Sequence, residues 1–224
     1  MAVLISGGKD SSLALHRALK AGHHVKYLVS MLPHRRDSWM FHYPNIGLVK
    51  YFAEAAELPL LTRETSGEKE REVQDLKHLL EPLEVEGVVN GAVASTYQKT
   101  RIEKICKQLD MQAISPLWQE EEYEILTEII TQNFTVVITS VSAYGFTKEW
   151  LGRKINKQTV EDLKRLNTQH GISLVGEGGE YETTVLDAPY FKHKITILNT
   201  KKHWKNETGY LQITKAELKP KKNP

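Results

Sequence analysis

One cysteine in 224 residues, a net charge of only +2 and no long hydrophobic run each remove a class of protein. A single thiol, Cys106, excludes a disulfide framework within the chain and a zinc site built from paired cysteines. It lies in RIEKICKQL, where Ile102, Ile105, Cys106 and Leu109 share one helical face, so packing is its expected role rather than nucleophilic chemistry. No stretch reaches the roughly 20 apolar residues of a membrane helix, and the first residues enter a strand without the basic region and cleavage site of an export signal. No membrane partner is expected, and a reducing cytoplasm is the expected location. The near-neutral balance gives no overall field that points to nucleic acid, and the lysines of KAELKPKKNP read as a solvated tail. No nucleic-acid partner is expected.

What is present is an ordinary globular composition, 40% hydrophobic and 26% charged, long enough for one large or two small domains. Apolar runs at AVLIS (2–6), VKYLVSML (25–32), LPLLTRE (58–64) and VEGVVNGAVA (85–94) alternate with helical patterns at DSSLALHRALKAG, 46–57, 67–83 and 98–109. A turn then leads into AISPLW. This alternation predicts an α/β fold, a doubly wound parallel sheet covered on both faces, over residues 1–115. Ligands of such sheets sit beyond the carboxyl ends of the strands, the edge at which Ser6–Ser12 and Asn90–Gln98 leave theirs. Past that point the pattern changes to helix 121–132, strand 134–142, helix 158–170 and short β-like pieces at 172–176, 181–187, 193–199 and 210–215. A second, smaller α+β domain is expected over 116–224.

The stretch SGGKDS, Ser6 to Ser11, stands at the first strand-to-helix turn. It is not a Walker loop, because Val3 occupies the position of the distant glycine and Asp10 follows Lys9 where Ser or Thr is needed. It is not a dinucleotide fingerprint either, because Gly7 and Gly8 are adjacent and no third glycine follows at the right distance. The physics of a phosphate cradle remains. Two glycines let the backbone approach an anion, and the first-turn amides and dipole of helix 11–21 favour negative charge there. Ser6, Ser11 and Ser12 add hydroxyls and Lys9 a positive charge. Asp10 beside a phosphate would repel it unless a divalent cation lies between them, which makes Asp10 a candidate magnesium ligand. The alternative is a simple turn capped by Asp or Ser, which would need neither the tandem glycine nor the lysine.

SGGKDS resembles the SGGxDS pyrophosphate loop of the ATP pyrophosphatases, a family in the adenine nucleotide alpha hydrolase fold. MFHYPN (40–45), GAVASTYQKTRIEKIC (91–106), SPLW (115–118), SAYGFTKEWLGR (142–153) and GEGGEYETTVLDAPYF (176–191) are together similar to the archaeal diphthine ammonia ligase family over nearly the whole chain. That resemblance implies amidation of diphthine on elongation factor 2 to diphthamide, with ATP, Mg2+ and ammonium, through an acyl adenylate that releases AMP and pyrophosphate. It also implies nucleotide contacts from Ser6, Gly7, Gly8, Lys9, Asp10, Ser11 and Ser12, from Ser30 and Met31 near adenine, and from His42, Gly91, Ala92, Tyr97, Gln98 and Arg101. Arg101 either meets a phosphate through its planar fork or pairs with a glutamate on the helix surface. Lys9, Asp10, Glu180 and Glu182 are the expected catalytic residues.

In EGGEYET, Glu177, Glu180 and Glu182 gather around Gly178 and Gly179, with Tyr181 and Thr183 interleaved. Like charges crowd at a cost unless a cation shares them. Diphthine carries a trimethylammonium group and the nitrogen donor enters as ammonium, so an acidic pocket suits both, and one glutamate can take the ammonium proton. The alternative is a glycine-hinged surface turn of solvated acids. Tyr144, Trp150 and Tyr181 are candidates for cation–π contact with the quaternary ammonium, or else core aromatics. Ala2 after Met1 offers no nucleophilic cysteine, so ammonium or a separate supplier must bring the nitrogen. A homodimer is left open. Two other outcomes stand beside amidation: an ATP pyrophosphatase acting on tRNA or a small carboxylate, and a module that binds ATP without cleaving it.

Overall fold

In the computed structural model, which describes residues 1–33, 45–66 and 69–221, the first apolar run forms β1 (Ala2–Leu4) and the chain turns at once into α1 (Lys9–Lys20). Next come β2 (Tyr27–Pro33), α2 (Val49–Ala56), β3 (Leu60–Thr65), α3 (Lys69–Leu80), β4 (Gly87–Val89), α4 (Thr96–Gln108) and β5 (Gln112–Ile114). The five strands pair in parallel in the order β3-β2-β1-β4-β5. The chain winds outward on one side of β1 and then crosses to the other, so the order reverses between β1 and β4. The α/β class expected from the alternating pattern is therefore the class this part adopts.

Ala2, Val29, Met31 and Val88 of the sheet pack with Leu76 and Leu80 of α3 and with Ile102, Ile105 and Cys106 of α4. Each large side chain of this kind contributes about 1.5–3 kcal/mol when taken out of water. Cys106 is thus a core thiol, and burial pushes its pKa up to about 11.

Two compact units divide the chain, Met1–Gln119 and Glu120–Pro224. The second holds α5 (Glu122–Thr131), β6 (Thr135–Val141), α6 (Lys157–His170), β7 (Tyr181–Asp187), β8 (His193–Lys205) and β9 (Thr208–Pro220). Its sheet runs β7-β6-β9-β8 with antiparallel pairing throughout. Ile125, Leu126 and Ile129 of α5 and Val160, Leu163 and Leu166 of α6 are buried, the spacing of one helical face. Asn156 caps α6 by accepting from the Thr159 amide at 2.9 Å.

Four expectations are corrected. Residues 172–176 form no strand but a loop held by side chains. The pieces expected at 193–199 and 210–215 are parts of a hairpin with 13 residues in each strand. It turns through Asn206 and Glu207, whose φ values of 50° and 62° suit a two-residue hairpin turn without the usual glycine. Gln112–Ile114 is a strand where only a turn was expected. Helix α1 starts at Lys9 rather than 11, which moves Lys9 and Asp10 into its first turn. Among the described residues no helix is long and apolar enough to cross a membrane.

Candidate functional site

The phosphate loop lies at the carboxyl end of β1, where the strand order reverses. Gly7 takes a left-handed φ of +82°, and Gly8, in extended conformation, is the residue before the helix, with no side-chain cap on it. Neither Asp10 nor Ser11 serves as the cap that the simple-turn alternative required. The serines brace the loop instead. The Ser6 amide donates to Ser11 Oγ and the Gly8 amide to Ser6 Oγ, both at 3.2 Å. Ser11 and Ser12 donate their hydroxyls to the Gly8 carbonyl at 3.2 and 2.7 Å. The loop's shape is held by its own residues.

Lys9 is buried and its Nζ lies 2.9 Å from Asp10 Oδ2. The other carboxylate oxygen, Asp10 Oδ1, is buried and accepts no hydrogen bond among the described residues. A buried acceptor left in that state costs about 1–3 kcal/mol or more, and a divalent cation on that oxygen would remove the cost.

The exit of β4 presses against this loop. A Cβ on Gly91 would stand 2.6 Å from Ser11 N, so no residue with a side chain fits there without moving the helix start. Asn90, absent from the candidates drawn from sequence, organises this exit. It is 2% exposed, its Nδ2 donates to Ser115 Oγ at 2.9 Å, and its Oδ1 accepts from the Ala92 amide at 3.1 Å. The available signal was a lone amide closing the apolar run VEGVVN. Arg17 Nη1 adds a 2.8 Å bond to the Pro116 carbonyl, tying α1 to the SPLW turn.

The remaining nucleotide candidates are placed as follows. Ser30 is buried with its hydroxyl unpartnered among the described residues, whereas the Met31 side chain belongs to the core cluster. Gln98 lends its amide to the Ser95 side chain that caps α4. The Arg101 guanidinium lies 3.5 Å over the Tyr97 ring. His42 lies outside the described residues.

In the second unit the acidic motif begins as a loop and continues into β7. Glu180 is turned back into the loop: its Oε1 accepts from the Ser173 amide at 2.9 Å, and its Oε2 is buried without a hydrogen-bond partner among the described residues. Ser142 fixes the same turn through its amide to the Glu180 carbonyl at 2.8 Å. Glu182 and Thr183 pair across β6 with Ser140 and Ile138, while Glu177, Gly178 and Gly179 form the turn itself. Tyr181 is buried and faces Phe146, which meets Trp150 edge-on at 5.0 Å. The Arg153 guanidinium lies 4.2 Å over Trp150. Tyr144, 68% exposed and edge-on to His170, is the aromatic of the three that reaches solvent.

Comparison with known proteins agrees across both units. Residues 1–113 match the family model described as the diphthamide synthase N-terminal domain, and 121–218 match that of the C-terminal domain. A Danio rerio protein named diphthine–ammonia ligase is 33% identical over 97% of this chain and 96% of its own length. A Schizosaccharomyces pombe protein of the same name is 32% identical over 97% of this chain, which spans only 39% of that longer relative. A solved structure from Methanocaldococcus jannaschii, described as a predicted subunit of tRNA methyltransferase, is 17% identical with a TM-score of 0.46, covering 84% of this chain and 96% of that one. With both of its units matched and a relative aligned nearly end to end, the chain belongs to the diphthamide synthase family.

Proposed function

We propose that the protein is a diphthine–ammonia ligase: it amidates the diphthine carboxylate on elongation factor 2 with ammonium at the expense of ATP, giving diphthamide, AMP and pyrophosphate. A braced phosphate loop at the switch point of a parallel sheet, in a chain of this family, is the observation that carries the proposal.

The β and γ phosphates lie in the loop Ser6–Ser12, against the first-turn amides of α1. Lys9 offsets the charge that develops as pyrophosphate leaves, and Arg101 supplies a second cation for it. Asp10, whose Oδ1 accepts no hydrogen bond among the described residues, would hold the magnesium ion of the nucleotide. When bound it would neutralise phosphate charge. Among the described residues no group of three metal-ligating side chains occurs. Ser30 donates its hydroxyl to the adenine, and Gly91 and Ala92 give backbone room beside the phosphates.

In the first step a diphthine carboxylate oxygen attacks the α phosphorus, the bond to the bridging oxygen breaks and pyrophosphate departs, leaving an acyl adenylate. Ammonium then loses a proton to a glutamate of the acidic motif, Glu182 being the candidate. The resulting ammonia attacks the acyl carbon, and AMP leaves with one former carboxylate oxygen. Glu177 and Glu182 supply negative potential for the trimethylammonium group, and Tyr144 supplies an aromatic face.

The test combines protein, ATP, magnesium and ammonium with elongation factor 2 bearing diphthine, and reads AMP together with the amide by mass spectrometry. Both products are expected in equal amounts. AMP with a different acceptor would point to another ATP pyrophosphatase, and bound ATP without AMP to a regulatory module; either result would overturn the proposal.

A further inference from the structure

Outside the acidic motif, at the start of α5, Glu122 carries out a task that no family motif marks. Its Oε1 accepts from Ser173 Oγ at 2.7 Å and its Oε2 from the Leu174 amide at 2.6 Å, across about fifty residues of sequence. Ser173 is then the hub of the segment. Its amide donates to Glu180 Oε1 at 2.9 Å, and its hydroxyl oxygen accepts from the amides of Val175 and Glu177 at 3.2 and 3.1 Å. The Tyr181 hydroxyl donates to the Leu174 carbonyl at 2.5 Å from inside the core. The Glu180 carboxylate folds so closely over the turn that a Cβ on Gly178 would meet its Oε1 at 2.9 Å.

We infer that Glu122 and Ser173 are positioning residues for the acidic motif: two carboxylates, Glu122 from the helix and Glu180 from the motif itself, grip one serine and so fix the backbone from 173 to 180. Three observations support a brace rather than a chance contact. The segment has no strand pairing of its own over 172–176, so its backbone groups need side-chain partners. The bonds to Glu122 are charge-assisted, the stronger kind. Glu122 also stands in the first turn of its helix, where a negative charge is favoured by the dipole. The consequence is a division of labour inside EGGEYET. Glu180 is committed to the loop's shape through Ser173, and the position of Glu177, whose amide hangs on the Ser173 hydroxyl, is set by residues remote from the motif in sequence. What the loop is for rests on the amidation reading; that it is braced does not.

The test uses the full-length protein with Ser173→Ala, Ser173→Thr and Glu122→Gln. In Ser173→Ala the amides of Val175 and Glu177 are expected to exchange with deuterium faster than in wild type. The kcat/KM for the protein substrate is expected to fall roughly 10- to 100-fold, the range for a misplaced binding group, with the KM for ATP unchanged. Ser173→Thr keeps the hydroxyl and is expected to restore most of both, and Glu122→Gln, which keeps one good acceptor, to fall between. Unchanged exchange in Ser173→Ala would overturn the brace. Faster exchange with wild-type amidation kinetics would overturn the positioning role. If Ser173→Ala unfolds, the comparison of Glu122→Gln with wild type by the same two readouts decides. If the wild-type protein forms no amide at all, the amidation reading is what fails, and the exchange rates still judge the brace.

Discussion

The phosphate loop and the acidic loop are both short glycine-rich turns with charged side chains, yet they are built in opposite ways. Ser6–Ser12 is shaped from within: neighbours two to five residues apart bond to one another, and the helix that follows supplies the field. Residues 173–180 are shaped partly from outside, by Glu122 more than fifty residues away and by Ser142 at the end of β6. A locally closed loop suits a fixed, chemically uniform group, as pyrophosphate would be under the proposed function. A loop suspended from distant residues can be tuned at those residues without altering its own sequence.

Removing the buried cation of the first loop has the largest expected effect. Lys9→Ala is expected to lower AMP formation by about 10²–10³-fold, as for loss of one donor to developing charge, while deuterium exchange at Val175 and Glu177 stays at the wild-type rate. A change in that exchange would break the independence of the two loops. Gly91→Ala comes next, since its methyl group would meet Ser11 N at 2.6 Å. Overpacking of this kind costs about 1–3 kcal/mol, to be read in urea unfolding, with weaker ATP binding alongside. Asp10→Asn is expected to shift the magnesium dependence of AMP formation to higher concentration by about tenfold, the equivalent of ~1.4 kcal/mol, in a metal titration at saturating ATP.

The smallest effect concerns Cys106, which belongs to neither loop. Burial raises its pKa from 9.0 to about 11, so the folded state favours the neutral thiol. Its stabilising contribution is present in full below pH 9.0 and is lost as pH climbs through about 11. Iodoacetamide at pH 8 is expected to leave AMP formation unchanged and to label the thiol only after denaturant is added.

The difference between the loops also explains what could be read in the residues beforehand. Apolar strands alternating with helical periods made the parallel sheet legible, because each strand there is buried on both faces. The shape of the Ser6–Ser12 turn was legible because its determinants are adjacent in sequence. The brace was not: nothing in EEEYEI singles out Glu122 from Glu120, Glu121 or Glu124, and Ser173 sits in a stretch whose Ile172, Leu174 and Val175 imitate a strand. The long hairpin escaped for a related reason, since KKHWKNETGY has neither strict alternation nor a glycine in the turn. Its strands form because β8 and β9 pair along nearly their whole length. The aromatics of the second unit were ambiguous by type alone, and packing separates buried Trp150 and Tyr181 from exposed Tyr144.

The central claim is that the carboxylate of diphthine attacks the α phosphorus and is then released to ammonia. Elongation factor 2 carrying diphthine labelled with ¹⁸O in both carboxylate oxygens tests it in one reaction with ATP and ammonium. The account predicts AMP bearing one ¹⁸O, pyrophosphate bearing none and an amide retaining the other. Label in inorganic phosphate with ADP as product, or AMP that forms without label, would contradict it.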